Sequence, residues 1–420
     1  MKKRHAYTIA TLLCLGCFGA GSIAADTEIQ FWYAYTNRIQ ENNVNLTKKF
    51  NQTVGKEKGI HVTATYQGGY GELNQKLQAA SIAGSAPEVA VVEIGSMGAF
   101  ARNGVIAKLG DYARQDNVDL SDFQKGLMGN SYVDGDLYGL PYLRSTPILY
   151  MNLEVLKKAG LDPAGPKTWD ELASYAKAIK DKTGFPGLEF ASDIWLYEAF
   201  LLEAGTSVLS DDELSCNVNT QAARDAVRYW KALKESGIIK IVSGADVPKS
   251  IVDVVGQRCG MWFQSTGGLT SFMDVAKAHG FTIATAFMPK QQRYATPTGG
   301  CNLVIAGKKG DKKKADAAWE FIKWMTSTDQ AVYSSGYTGY LPSRVSAGES
   351  ASIKALYASR PQFKVAVDQL AYATKRPVNP AYAEASEIIT SALDAVWING
   401  QDIDTLFVDV EKKVNAILRE

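Results

Sequence analysis

The stretch Pro141-Tyr142-Leu143-Arg144-Ser145-Thr146-Pro147-Ile148-Leu149-Tyr150-Met151-Asn152 constrains the fold more than any other part of the chain. A polar, proline-flanked crossing there runs straight into an apolar strand, which is how a chain leaves one α/β lobe and enters a second at a cleft. Two lobes also agree with length. Of 420 residues, roughly 395 remain once a leader is set aside, more than one hydrophobic core usually organises.

The leader is read from Lys2-Lys3-Arg4, the apolar run Ala6 to Phe18 and the small residues Gly19 to Ala25, the three-part plan of a secretory signal peptide over 1–25. The run is shorter than the roughly 20 apolar residues of a membrane span. The competing reading is a lipoprotein leader modified at Cys17 after Leu15-Gly16, although Cys14 stands where a larger aliphatic residue is usual. A periplasmic location is therefore expected, with or without a lipid anchor. Removing the leader takes three basic residues from 45 Lys+Arg and none from 44 Asp+Glu, leaving 42 against 44, a net of −2. Nothing in that balance favours nucleic acid or an anionic membrane. Three cysteines remain, Cys216, Cys259 and Cys301, enough for one disulfide at most and without metal-site spacing.

The first units read β-α-β. Thr27 to Ala34 and Ile60 to Tyr66 predict strands around a helix carrying Ile39, Val44, Leu46 and Phe50. Leu73, Leu77 and Ala80 share one face of a second helix, before the uninterrupted apolar run Val89 to Val92. A strand without polar alternation is buried on both faces, as in a mainly parallel sheet covered by helices. After the crossing, Thr168-Trp169-Asp170-Glu171 has the form of a capping box opening a helix through Leu172, Tyr175 and Ile179. Helices are expected over 221–236 and 315–326, and a strand over 301–306. Two terminal helices follow from Ala385, Ile388/Ile389, Leu393 and Val396/Trp397, and from Leu406, Val410, Val414 and Ile417.

Catalytic patterns are missing. There is no GxxxxGK[ST], GxGxxG after a strand, HExxH or GxSxG. Beyond the leader only His61 and His279 remain, with no Cys/His/carboxylate cluster around either. No enzyme activity, metal or cofactor is expected, although a carboxylate pair leaves no spacing to read.

The residues resemble the extracellular solute-binding proteins of ABC importers, in the branch that includes the glycerol-3-phosphate-binding proteins. The anchors are Phe31-Trp32, Tyr66-Gln67-Gly68-Gly69-Tyr70, Val92-Glu93-Ile94-Gly95, Pro141 to Asn152, Lys157 to Pro163 with Lys167-Thr168-Trp169, Gln264 to Gly268, Gly299-Gly300 and Thr338-Gly339-Tyr340-Leu341-Pro342. Their order and spacing carry the likeness. The resemblance implies a two-lobed, maltose-binding-protein-like (type II) α/β fold with three crossings, near Thr146, Ile283 and Ser327. The expected first lobe is 26–145 plus 284–328, and the second 146–283 plus 329–420.

The same resemblance implies ligand contacts from Tyr70, Glu93, Ser145, Trp195, Ser265, Gly299, Gly300 and Tyr340. Hydroxyls and backbone N–H groups would bond phosphate oxygens, a carboxylate would accept from sugar-like hydroxyls, and an indole would pack on carbon. One departure stands out. The family's phosphate-pairing arginine falls at Ser386 here, so charge-assisted pairing has to come from elsewhere, with Arg144 and Arg376 as the candidates, or is absent, which weakens free glycerol-3-phosphate as the ligand relative to a glycerophosphodiester with a single phosphate charge. Each residue has a plainer structural alternative, such as a lobe-core Trp195 or an Arg376 that ties the scaffold. The implied function is capture of glycerol-3-phosphate or a glycerophosphodiester by a monomer that delivers it to membrane permease subunits. Oligosaccharide capture is the alternative, and a secreted hydrolase a third.

Overall fold

The computed structural model describes residues 27–244, 247–306 and 310–419. The leader over 1–25, with Cys14 and Cys17, lies outside them. The strands before the crossing are β1 (Thr27–Tyr33), β2 (Ile60–Tyr66), β3 (Val89–Glu93) and β4 (Leu140–Ser145). After it come β5 (Pro147–Asn152), β6 (Leu188–Ser192), β7 (Ile239–Ser243), β8 (Met261–Ser265), β9 (Ile283–Ala286) and β10 (Gly299–Ile305). The helices that bear on the site are α1 (Asn37–Gln52), α2 (Tyr70–Ile82), α3 (Trp169–Thr183), α4 (Ile194–Glu203), α5 (Gln221–Glu235), α6 (Lys312–Met325), α7 (Thr328–Thr338), α8 (Tyr382–Trp397) and α9 (Ile403–Ile417).

Two five-stranded sheets form, in the orders β2-β1-β3-β10-β4 and β9-β5-β8-β6-β7. Both are mixed, not mainly parallel. In the first sheet β1 runs parallel to β2 and β3, while β10 is antiparallel to β3 and β4; in the second, β5 is antiparallel to β8 and β9, and β6 is parallel to β7 and β8. The antiparallel members are those beside a crossing, because a chain that changes lobes enters its new sheet from the cleft side. Each sheet has its own core. Phe31, Phe50, Val91, Leu303 and Phe321 pack in the first lobe, and Leu149, Phe200, Trp230, Phe263, Ile389 and Trp397 in the second.

Local signals explain several boundaries. Thr168 accepts the N–H of Glu171 at the start of α3, while the Glu171 carboxylate reaches back to the N–H of Lys167, one residue beyond the usual capping-box partner. The terminal pair α8 and α9 buries the periodic apolar positions, among them Ile389, Leu393, Val410 and Val414, against the second core. Helix-spaced residues on one face can be buried together only by such docking.

The first crossing is a single residue. Ser145 ends one sheet, Pro147 begins the other, and Thr146 between them is fully buried. The other two lie later than expected. Ile283 opens a strand paired with β5, so the chain leaves the second sheet only after Ala286. At the third, α7 still belongs with the first lobe, since Tyr333 packs on its core and the Tyr337 hydroxyl donates to Glu41 on α1. Tyr340 completes that core, and Leu341 packs behind the second sheet with Ile148, Tyr150 and Trp262. Cys216, Cys259 and Cys301 are all buried free thiols.

Candidate ligand-binding cleft

The strand ends explain why chemistry gathers between the lobes. β3 ends at Glu93, β4 at Ser145, β6 one residue before Asp193 and β8 at Ser265, while β10 starts there with Gly299-Gly300. Side chains at these ends escape the sheet hydrogen bonding and face the crevice, where α/β folds bind ligands. Gly300 has φ +87°, and a Cβ there would sit 1.9 Å from the Leu143 carbonyl oxygen, so the backbone approach admits only glycine.

Trp195 spans the lobes. It stands in the first turn of α4 in the second lobe and donates its indole N–H to the Thr298 carbonyl at 3.0 Å. Its ring lies on Gly299, where a Cβ would come within 2.4 Å. Asp193 caps the same helix by accepting the Trp195 N–H at 2.5 Å. Across the crevice Tyr35 and Tyr70 meet edge to face, centroids 4.8 Å apart. Tyr35 adopts φ 66°, an uncommon region for a bulky residue, held by its N–H bond to the Gly68 carbonyl. The Tyr340 ring rests against Gly267 beside Ser265, whose hydroxyl accepts the Gly267 N–H at 3.1 Å.

Charge is concentrated on Arg376. Its guanidinium binds both oxygens of Glu198, the closest at 2.8 Å, and Glu93 at 2.5 Å, with only 7% of the side chain exposed. Tyr382 also donates to Glu198. The Arg376 backbone is clamped to the Asn130 side chain by two bonds, of 2.9 and 3.1 Å. The result is a first-lobe carboxylate and a second-lobe carboxylate joined through one cation. Burial pushes the Glu198 carboxyl above its ordinary range, and Arg376 and Tyr382 pull it back. Burial also raises Asp193, opposed by the Trp195 N–H and by Arg376.

A family model for bacterial extracellular solute-binding proteins matches residues 45–365. The chain belongs to that family. Among this solute-binding protein's relatives, the sn-glycerol-3-phosphate-binding periplasmic protein UgpB of Agrobacterium fabrum is 26% identical over 373 residues, covering 86% of this chain and 84% of its own length. The protein of that name from Escherichia coli K12 is also 26% identical, covering 100% and 98%. Among solved structures, UgpB of Mycobacterium tuberculosis with glycerophosphocholine matches at TM-score 0.83 and 24% identity, over 94% of this chain and 99% of that one. The GacH receptor of Streptomyces glaucescens, solved unliganded and with acarbose, matches at 0.84 and 22%, over 94% and 100%. The two structural likenesses share a maltose-binding-protein-like fold with this chain.

Against this geometry, the expected site residues of the solute-binding protein divide. Tyr70, Glu93, Ser145, Trp195, Ser265, Gly299, Gly300 and Tyr340 come together at the crevice. Arg376 is there too, but its charge is spent on two carboxylates. Arg144 needs correction as a phosphate anchor: it is fully buried and donates to the carbonyls of Gly299 and Leu127, to Asn302 Oδ1 and to Thr298 Oγ1. Without a carboxylate partner its pKa is pushed down to about 10 by burial. Ser386 turns its hydroxyl back to the Tyr382 carbonyl at 2.7 Å. Sequence reasoning missed Tyr35, Asp193 and Glu198. Asp193 carried a usable signal, since it follows an apolar strand just as Glu93 ends one.

Proposed function

We propose that this chain is the periplasmic capture component of an ABC importer, and that it binds glycerol-3-phosphate or a glycerophosphodiester between its lobes. The observation that carries the reading is the set of strand ends from both sheets that meets at one crevice, joined by a one-residue crossing at Thr146. A ligand touching both lobes stabilises the closed form, and that form is what permease subunits would recognise. Ser145, Ser265 and the Gly299-Gly300 backbone supply polar contacts, while Tyr70, Trp195 and Tyr340 pack on carbon. No catalytic step is part of this reading, and the working form is a monomer.

Oligosaccharide capture is the second reading, favoured by a crevice rich in rings and carboxylates. A thermal-shift screen with glycerol-3-phosphate, glycerophosphocholine, maltose and trehalose, followed by calorimetry, separates them. A ligand at a hundred times its Kd adds about 2.7 kcal/mol of stability. A shift with phosphorylated glycerol compounds and none with sugars is expected. The reverse pattern would replace the first reading by the second, and turnover of any probe during long incubation would overturn both.

A further inference from the structure

Arg38 reaches from one lobe to the other at the rim of the crevice. It stands in the first turn of α1, three residues after Tyr35, and its Nε and Nη2 donate to one oxygen of Asp274 at 3.1 and 2.5 Å. Asp274 belongs to the helix Leu269–Ala278, which follows Ser265 and packs through Leu269 and Ala276 with Ile148, Tyr150 and Trp262 of the second lobe. The pair therefore joins the lobes in the same conformation in which Trp195 reaches the Thr298 carbonyl and Arg376 bridges Glu93 and Glu198.

The first-lobe half of this contact is held ready. The Arg38 guanidinium lies over the Tyr337 ring, 4.8 Å from its centroid. Tyr337 stacks on Tyr333 with centroids 5.4 Å apart and donates its hydroxyl to Glu41, while the Tyr333 hydroxyl accepts from Asn45. All of these residues stand on α1 and α7. The arginine thus keeps its place when Asp274 moves away, and pairing costs less side-chain entropy than a free arginine would lose. Both partners still meet water, since 32% of the Arg38 side chain and 54% of the Asp274 side chain are exposed. Dissolved salt screens such a pair far more than a buried one such as Arg376 with Glu198.

We propose that Arg38 and Asp274 form a salt-sensitive strap across the rim, which favours the closed arrangement of the lobes and makes its population depend on ionic strength. The strap acts on the movement of the lobes and asks nothing of the ligand. An exposed ion pair shifts such a balance by a few-fold, which tunes closure without holding the crevice shut.

Pulsed electron paramagnetic resonance between two spin labels tests it without any ligand. The labels go onto Ile82→Cys in the first lobe and Val408→Cys in the second, both exposed positions, while Cys216, Cys259 and Cys301 are buried. In the labelled protein that is otherwise wild type, the ratio of closed to open distances should fall about threefold between about 10 mM and about 1 M NaCl, as the screening length shrinks from about 30 to about 3 Å. Arg38→Glu sets two carboxylates facing each other, so at low salt it should lower that ratio at least about threefold and abolish its fall with salt. Adding Asp274→Arg should restore both. A wild-type ratio that ignores salt, an Arg38→Glu protein with wild-type distances, or a double variant no better than the single one overturns the strap. None of these outcomes bears on the proposed ligand, which the thermal-shift screen tests separately.

Discussion

Arg144 and Arg376 are both buried guanidiniums beside one crevice, and they do different work. Arg144 has 0% exposure and a set of neutral acceptors, all within the first lobe or at its edge. Arg376 lies between two carboxylates that belong to different lobes. A cation that faces carbonyl oxygens locks the segments supplying them, here the crossing strand β4, the short helix Lys125–Met128 and the start of β10. A cation shared between carboxylates across a hinge favours the conformation in which they converge. Burial therefore says little about an arginine's role until its acceptors are named.

The largest expected effect breaks the first half of that comparison. Arg144→Met leaves the Leu127 and Gly299 carbonyls and the Asn302 amide oxygen without their donor, and should cost about 3–5 kcal/mol of unfolding free energy. Urea denaturation with and without ligand checks it. Both curves should move together, because the damage lies inside one lobe. A variant of unchanged stability but much weaker affinity would return Arg144 to the ligand.

Arg376→Met should do the opposite. Removing one partner of a buried charged network costs about 2–5 kcal/mol where the charges left behind must face each other, and if Arg376 is a latch that cost falls on the closed form. Ligand affinity should fall at least about thirtyfold, and the decrease in radius of gyration on ligand addition should be lost in X-ray scattering at a concentration that saturates the wild type. Denaturation should change less than for Arg144→Met. If the two variants give the same pattern, the distinction between scaffold and latch is wrong.

A smaller effect sharpens the second half. Trp195→Phe keeps a ring on Gly299 but removes the indole N–H that reaches the Thr298 carbonyl across the crevice. A single hydrogen bond is worth about 1 kcal/mol net, so Kd should rise roughly fivefold with little change in unliganded stability. Competition calorimetry has the resolution for this. No change would mean that the bond forms only at the expense of an equivalent one to water.

These arginines also mark the limit of what the chain discloses by itself. β2 is legible as Ile60–Tyr66, and the cap of α3 in Thr168 and Glu171, because their causes lie within a few residues. Arg144 is not. Four of its donor contacts go to residues 17, 158, 155 and 154 positions away, and only folding shows that no carboxylate or ligand is among them. The late boundary at Tyr340 has a similar origin, since α7 is held to α1 by a Tyr337–Glu41 contact 296 residues apart in sequence. The positions of Glu93, Ser145 and Ser265 at the ends of β3, β4 and β8 are local features that the chain discloses, whereas their ligand roles came from the family resemblance. Asp193 obeys the same rule, following β6 two residues before Trp195, but no family motif drew attention to it.

Asp193 supplies the finest test, because capping a helix and burying a carboxylate pull in opposite directions. Burial raises its pKa in the folded protein, opposed only in part by the Trp195 N–H and Arg376. The folded state then binds that proton more tightly than the unfolded chain. Its contribution to stability is favourable below the unfolded value of about 4 and is lost as pH rises through the folded value. At pH 7 the ionised group is a cost to the unliganded protein. Asp193→Asn should therefore raise the unliganded Tm at pH 7 by roughly 1–3 °C, the scale of ~1 kcal/mol in a chain of this size, with the gap closing as pH falls below about 4. A rise would show that the ionised carboxylate is held at a cost to the empty protein, whereas an unchanged or lower Tm at pH 7 would make Asp193 a helix cap and nothing more.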